Sequence, residues 1–97
     1  MSPHAASAPL PAWGRTPIGW ALNLDGSVAS RFALPRLELE QSSRGWLCRC
    51  RLGDGTSHEL LNHADSIGAA QRTAAELARG HVDGAALEAL EALLARG

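Results

Sequence analysis

The stretch LELEQSSRGWLCRCRL, residues 37–52, decides the fold of this chain. Apolar and polar residues alternate on both sides of a polar, glycine-ended turn segment, and this pattern predicts a β-hairpin. If Gln41 lies opposite Trp46, the apolar side chains of both strands share one face, and Glu38 meets Arg49 on the other. A shift of one residue would place the two apolar sets on opposite faces. The sequence therefore predicts both the hairpin and its register.

Two further segments have the pattern of strands. Residues 18–24 place apolar side chains at alternate positions and end at an Asp-Gly pair, which is typical of tight turns. Residues 56–61 follow a second glycine-rich turn signal and predict a short strand. Residues 27–35 fit either a strand or a short helical turn, because Pro35 limits the length of both.

The C-terminal third predicts two helices. Asp65 and Ser66 offer an N-cap, and apolar residues then recur at helical spacing in a mostly alanine stripe that ends at Gly80. A second helix starts at Asp83; at about three turns it is marginal alone and must pack on something. The elements together predict an α+β fold, in which two helices cover one face of a small antiparallel sheet of three to four strands.

We expect residues 1–15 to be a disordered N-terminal tail and residues 16–97 to form a single α+β domain. Each proline in the tail removes a backbone donor and fixes φ. Trp13 is the exception, because an indole in a tail usually finds a covering surface. The sequence has no secretory signal pattern and no apolar run long enough to span a bilayer. We therefore expect a cytoplasmic protein without membrane association.

Composition and motifs argue against several functional classes. The 97 residues are 45% hydrophobic and 20% charged with a net charge of −1, which is typical of a globular protein and not of a polybasic nucleic-acid-binding chain. The sequence contains no phosphate-binding glycine loop, no H-E-x-x-H zinc motif and no G-x-S-x-G nucleophile motif. We therefore expect no enzymatic activity.

The cysteines Cys48 and Cys50, together with His58 and His63, raise the question of a zinc site. Structural zinc sites favour C-x₂₋₄-C spacing on turns, whereas this C-x-C pair alternates in phase with Trp46 along a strand. We therefore expect both cysteines in the core, and neither a metal nor another cofactor.

Three surfaces predict a binding function. The last helix has a wider apolar arc than a small sheet needs, which indicates an interaction module that binds a protein partner or a second copy of itself in a homodimer. The candidate interaction residues are Leu87, Leu90, Leu93 and Leu94. An edge strand offers a second route to a dimer. The alternative is a nucleic-acid-binding module whose sheet face contacts phosphates through Arg36, Arg44, Arg49 and Arg51.

The segments GWLCRCRL (45–52) and ADSIGAAQRTAAELA (64–78) follow each other across a short turn. Their order resembles small strand–strand–helix modules of uncharacterised bacterial and prophage proteins, in which a tryptophan-bearing hairpin strand precedes an alanine-rich helix with a small polar cap. The resemblance covers roughly residues 18–80. It implies an α+β fold and a bacterial source, and it carries no activity, cofactor or catalytic residue.

Overall fold

Five strands form one antiparallel sheet in chain order, and two helices follow them. The computed structural model describes residues 11–63 and 66–96. The elements are β1 (Gly14–Thr16), β2 (Gly19–Asn23), β3 (Arg36–Ser42), β4 (Gly45–Arg51), β5 (Ser57–Asn62), α1 (Ile67–Arg79) and α2 (Gly84–Ala95). The predicted α+β fold with an antiparallel sheet is confirmed, but the sheet has five strands where three to four were predicted.

The additional strand is β1, which lies in the segment expected to be a disordered tail. Gly14 and Arg15 belong to β1 and pair with β2, so the predicted boundary of the tail is wrong at these two residues. Pro17 follows β1 directly and lies in the turn to β2, where a proline removes no ladder hydrogen bond. Trp13 packs against the core, which satisfies the expectation for its indole. The first ten residues of the predicted tail lie outside the described residues.

The central hairpin of β3 and β4 has the predicted register. Gln41 pairs with Trp46, and Glu38 pairs with Arg49. The apolar face of the hairpin is buried, as predicted, and it includes both cysteines. Its buried side chains are Leu37, Leu39, Trp46, Cys48 and Cys50.

Helix α1 covers the apolar face of β3, β4 and β5. Ser66 is its N-cap, as predicted, and its hydroxyl accepts a hydrogen bond from the backbone N–H three residues later at 3.1 Å. Asp65, the other predicted cap residue, lies outside the described residues. The buried side of α1 is alanine, which lets the helix approach the sheet closely. The Cys48 thiol lies 3.6 Å from the Ala70 carbonyl oxygen as a result.

Helix α2 begins after Asp83, as predicted, and packs against α1. Leu90 is completely buried and joins the core that the sheet and α1 share. Both helices therefore lie on one face of the sheet. The opposite face is in contact with other parts of the chain or with solvent.

Candidate interaction site

A polar pair, Asn23 and Arg36, lies buried on the sheet face opposite the helices. Asn23 ends β2, Arg36 begins β3, and the two are cross-strand partners. Asn23 is 0% exposed and Arg36 only 7%. The Arg36 Nη1 donates to the Asn23 Oδ1 at 2.8 Å. Burying an amide and a guanidinium is unfavourable unless their hydrogen bonds are satisfied. The groups that accept the other hydrogen bonds of Asn23 and Arg36 therefore belong to the segment that covers the pair.

The element that covers the pair is the β2–β3 loop, residues 24–35. Residues 27–35 form turns and bends, so neither the strand nor the helical turn that the sequence allowed is present. In a strand or a helix, backbone N–H groups would donate to the carbonyl oxygens of this loop. Here the side chains of Asn23 and Arg36 donate to them instead. The loop carbonyls that accept are those of Val28 (2.9 Å from Asn23), Ala29 (3.0 Å from Arg36) and Arg31 (2.6 Å from Asn23 and 3.3 Å from Arg36).

Two further contacts hold this loop. Ala29 is buried beside Gly14 of β1, and a Cβ on that glycine would lie only 2.8 Å from the Ala29 Cβ. The Asp25 carboxylate accepts hydrogen bonds from the Ser27 hydroxyl at 2.6 Å and from the Ser27 backbone N–H at 2.9 Å. These two bonds lower the pKa of Asp25 below its usual value, and the bond from the Ser27 hydroxyl has the larger effect. The loop is thus fixed at its start and at its middle.

The anchored loop presents apolar side chains to water. Val28 is 68% exposed, Phe32 62% and Leu34 36%, and we call these three residues the loop surface. The Phe32 ring also lies over the Arg36 guanidinium, with 5.2 Å from Cζ to the ring centroid. Single exposed apolar residues are common, but three on one anchored loop mark a candidate interaction site. The sequence analysis missed this site, because residues 27–35 have no periodicity that assigns a face.

The other charged side chains of this sheet face pair with one another. Glu38 lies at the centre and accepts hydrogen bonds from Arg36 (3.0 Å), Arg49 (3.2 Å) and Arg51 (2.7 Å). Burial favours its neutral form, but the hydrogen bonds from the three arginines together outweigh burial and lower the pKa of Glu38. Arg49 also donates to Glu59 at 2.6 Å, and chiefly this bond raises the pKa of Arg49.

The four arginines predicted to contact nucleic acid are mostly committed to these ion pairs. Arg36, Arg49 and Arg51 are paired with carboxylates, which reduces the positive charge available to a phosphate backbone. Arg44 is exposed in the turn between β3 and β4. Nucleic-acid binding stays a prediction.

The α2 leucines predicted to form an interaction surface are divided by the fold. Leu90 is completely buried, and Leu93 and Leu94 pack partly buried against the core, so most of the apolar arc stabilises the chain's own fold. Leu87 is partly exposed. A partner contact at α2 stays a prediction.

Of the described cysteines and histidines, only Cys50 and His58 are cross-strand partners, on β4 and β5. Cys48 and Cys50 are free thiols, and burial raises the pKa of each to about 11, so both are protonated at neutral pH. His58 stacks on His81 with 3.6 Å between ring centroids, and the His63 Nδ1 lies 3.1 Å from a backbone oxygen of the β3–β4 turn. Across the described part of the chain, no group of three or more His, Cys, Asp or Glu residues is placed to hold a metal ion.

Comparisons of the chain with family models, with curated proteins and with solved structures found no match. The resemblance to small bacterial and prophage modules therefore stays a prediction. Within residues 11–63 and 66–96, no helix combines the length and apolar character that crossing a bilayer requires. The geometry of the described surfaces is accordingly the basis for the functional inference.

Proposed function

We propose that this protein is a non-enzymatic interaction module that binds another protein through the β2–β3 loop. One observation carries the proposal: Asn23 and Arg36 are buried and bond the loop backbone, while Val28 and Phe32 are largely exposed above them. Covering such apolar side chains in an interface is favourable by roughly 25 cal/mol per Å² of apolar surface. The loop is therefore suited to a partner that buries it.

The anchoring of the loop supports this function, because it lowers the entropic cost of binding. Ordering a flexible loop costs about 1–2 kcal/mol of backbone entropy per residue. Here hydrogen bonds from Asn23 and Arg36 already fix the carbonyls of Val28 and Arg31. A partner would therefore meet the loop surface in a preformed arrangement.

Charge indicates the chemistry of the partner. Arg31 stands between Val28 and Phe32 in the sequence and is exposed. Its guanidinium belongs to none of the close ion pairs between described residues, and its electrostatic interaction with Asp25 is a minor one among the causes that lower the pKa of that carboxyl. A protein segment that carries apolar side chains next to carboxylates would cover Val28 and Phe32 and pair with Arg31. We therefore propose an acidic, apolar protein segment as the occupant.

Selection from a library of random short peptides on the immobilised full-length chain tests this function. We expect the selected peptides to converge on aromatic or aliphatic residues next to Asp or Glu. Titration calorimetry with one synthetic selected peptide then compares variants. Phe32→Ser is expected to weaken binding about tenfold or more, because it removes a central apolar contact. Ile18→Ser, which alters an exposed isoleucine in the β1–β2 turn, is the matched control and is expected to leave the affinity unchanged.

Two results would contradict the proposal. One is a selection that yields no common sequence. The other is a selected peptide whose affinity falls equally with Phe32→Ser and Ile18→Ser. We expect both variants to be folded, because both positions are exposed in the native chain. Thermal unfolding of each variant checks this.

A further inference from the structure

Strand β5 lies at an edge of the sheet and, among the described residues, pairs with β4 alone. The pairing is one-to-one along β5 and contains no bulge. The Leu52 N–H donates to the Thr56 backbone carbonyl oxygen at 2.8 Å, which makes these two residues a hydrogen-bonded pair and sets the alternation of the β4–β5 ladder. In an antiparallel ladder, residues bonded to the neighbouring strand alternate with residues whose backbone groups point away. The residues of β5 with outward backbone groups are therefore Ser57, Glu59 and Leu61.

This edge has few of the features that protect edge strands. Natural edges carry prolines, charged side chains (lysine above all) or bulges, whereas the sequence SHELLN has neither proline nor lysine, and its one carboxylate, Glu59, is paired with Arg49 at 2.6 Å. Leu60 on the helix side is 48% exposed. The opposite edge, β1, has only three residues and is followed by Pro17. Of the two edges, β5 is the one suited to the addition of a strand.

We infer that β5 pairs antiparallel with β5 of a second copy of this chain, about a two-fold axis at Leu60. An axis at Glu59 would place two carboxylates opposite each other, which is unfavourable. An axis at Leu60 places the two leucines opposite each other as a non-hydrogen-bonded pair, where side chains are closest. Glu59 then forms a hydrogen-bonded pair with Leu61 of the second copy, and His58 faces Asn62, so polar residues meet on the helix side.

The position of α1 leaves room for this pairing. The helix lies over β4 and contacts β3 and β5 on either side, while Leu60 remains about half exposed at the outer edge. The two Leu60 side chains would therefore meet between the two α1 helices and exclude water from each other. This interface is separate from the β2–β3 loop and does not depend on the proposed function.

Sedimentation equilibrium of the full chain, from about 5 to about 500 µM, tests the association. We expect the mass to rise with concentration from 10.2 kDa towards twice that value. Leu60→Glu places two carboxylates at the axis and is expected to weaken association about tenfold or more. Phe32→Ser removes an exposed apolar side chain away from β5 and is expected to leave association unchanged.

Cysteine substitution tests the register. Under mild oxidation we expect Leu60→Cys to form an intermolecular disulfide, because the Cα atoms of a non-hydrogen-bonded pair lie about 4.5 Å apart, within disulfide range. We expect Glu59→Cys to crosslink about tenfold more slowly, since that position faces Leu61 of the second copy. The natural cysteines are buried and do not compete.

A mass of 10.2 kDa at every concentration would overturn the self-association. Faster crosslinking by Glu59→Cys than by Leu60→Cys would overturn the register. Because Phe32→Ser reports on the loop and Leu60→Glu on the edge, failure of this inference is distinguishable from failure of the proposed function.

Discussion

At the scale of single residues, the charged and amide side chains on the sheet face away from the helices satisfy one another. Asn23 and Arg36 bond each other and the loop backbone, and Glu38 accepts from three guanidinium groups. Among the described residues, no buried side-chain nitrogen or oxygen lacks a hydrogen-bond partner. A buried polar network stabilises a structure only when it is fully satisfied, so loss of one member is expected to be costly.

Glu38 makes this expectation testable through pH. Its folded-state pKa is lowered below the usual 4.5, so its carboxylate contributes stability that is complete above the unfolded-state pKa and is lost as the pH falls through the folded-state value. We expect Glu38→Gln to lower the free energy of unfolding at pH 7 by about 1–3 kcal/mol. The variant should also lose less stability than the natural chain between about pH 5 and about pH 2. Urea denaturation across this pH range measures both effects.

Glu88→Gln is the control for this prediction, because Glu88 is exposed on α2. It should change the free energy of unfolding at pH 7 by less than about 0.5 kcal/mol. Equal acid sensitivity of Glu38→Gln and the natural chain would show that the arginine bonds of Glu38 contribute nothing to stability.

At the scale of elements, the turn between β3 and β4 depends on one glycine. Gly45 has a φ of 138°, which L-residues with a Cβ rarely adopt, and a Cβ there would collide with the Asn62 carbonyl oxygen of β5. We expect Gly45→Ala to lower the free energy of unfolding by about 2 kcal/mol or more. Gly53→Ala, which meets open space in the next turn, should cost less than about 0.5 kcal/mol. Chemical denaturation compares the two, and equal losses would contradict this account of the hairpin.

The elements predicted correctly from the sequence are those with a strong local pattern. The alternation around Trp46 defined the β3–β4 register, and Ser66 marked the start of α1. Strand β1 escaped prediction because three residues are too few to show a period, and the nearby prolines indicated a tail. Pro17 occupies the β1–β2 turn, a position that local sequence does not distinguish from a tail.

The candidate site could not be predicted because its determinants are distant in sequence. Asn23 and Arg36 meet across two strands and bond the carbonyls of the loop on which Val28 and Phe32 are exposed. From the sequence alone, an arginine at the start of a strand is expected on the solvated face of the sheet. Arg36 is therefore predicted to contact phosphate and not to be buried beneath a loop. Burial of Arg36 depends on how residues 24–35 fold back, which no periodic pattern reports.

At the scale of the whole molecule, the two proposed surfaces lie towards opposite edges of the sheet. The β2–β3 loop packs Ala29 against Gly14 of β1, whereas β5 forms the other edge. Pairing of two copies through β5 would leave both loops accessible. The dimer would then present two equivalent loop surfaces and bind a bivalent partner with increased avidity.

The order of the β2–β3 loop is the claim on which the functional account depends, and ¹⁵N relaxation of the full chain measures it directly. Because Asn23 and Arg36 fix the loop backbone, we predict order parameters of about 0.8 or more for the amides of residues 28–32, similar to those of the strands. Asn23→Ala should lower them in the same residues. Order parameters below about 0.6 for these amides in the natural chain would contradict the account, because the loop surface would then not be preformed.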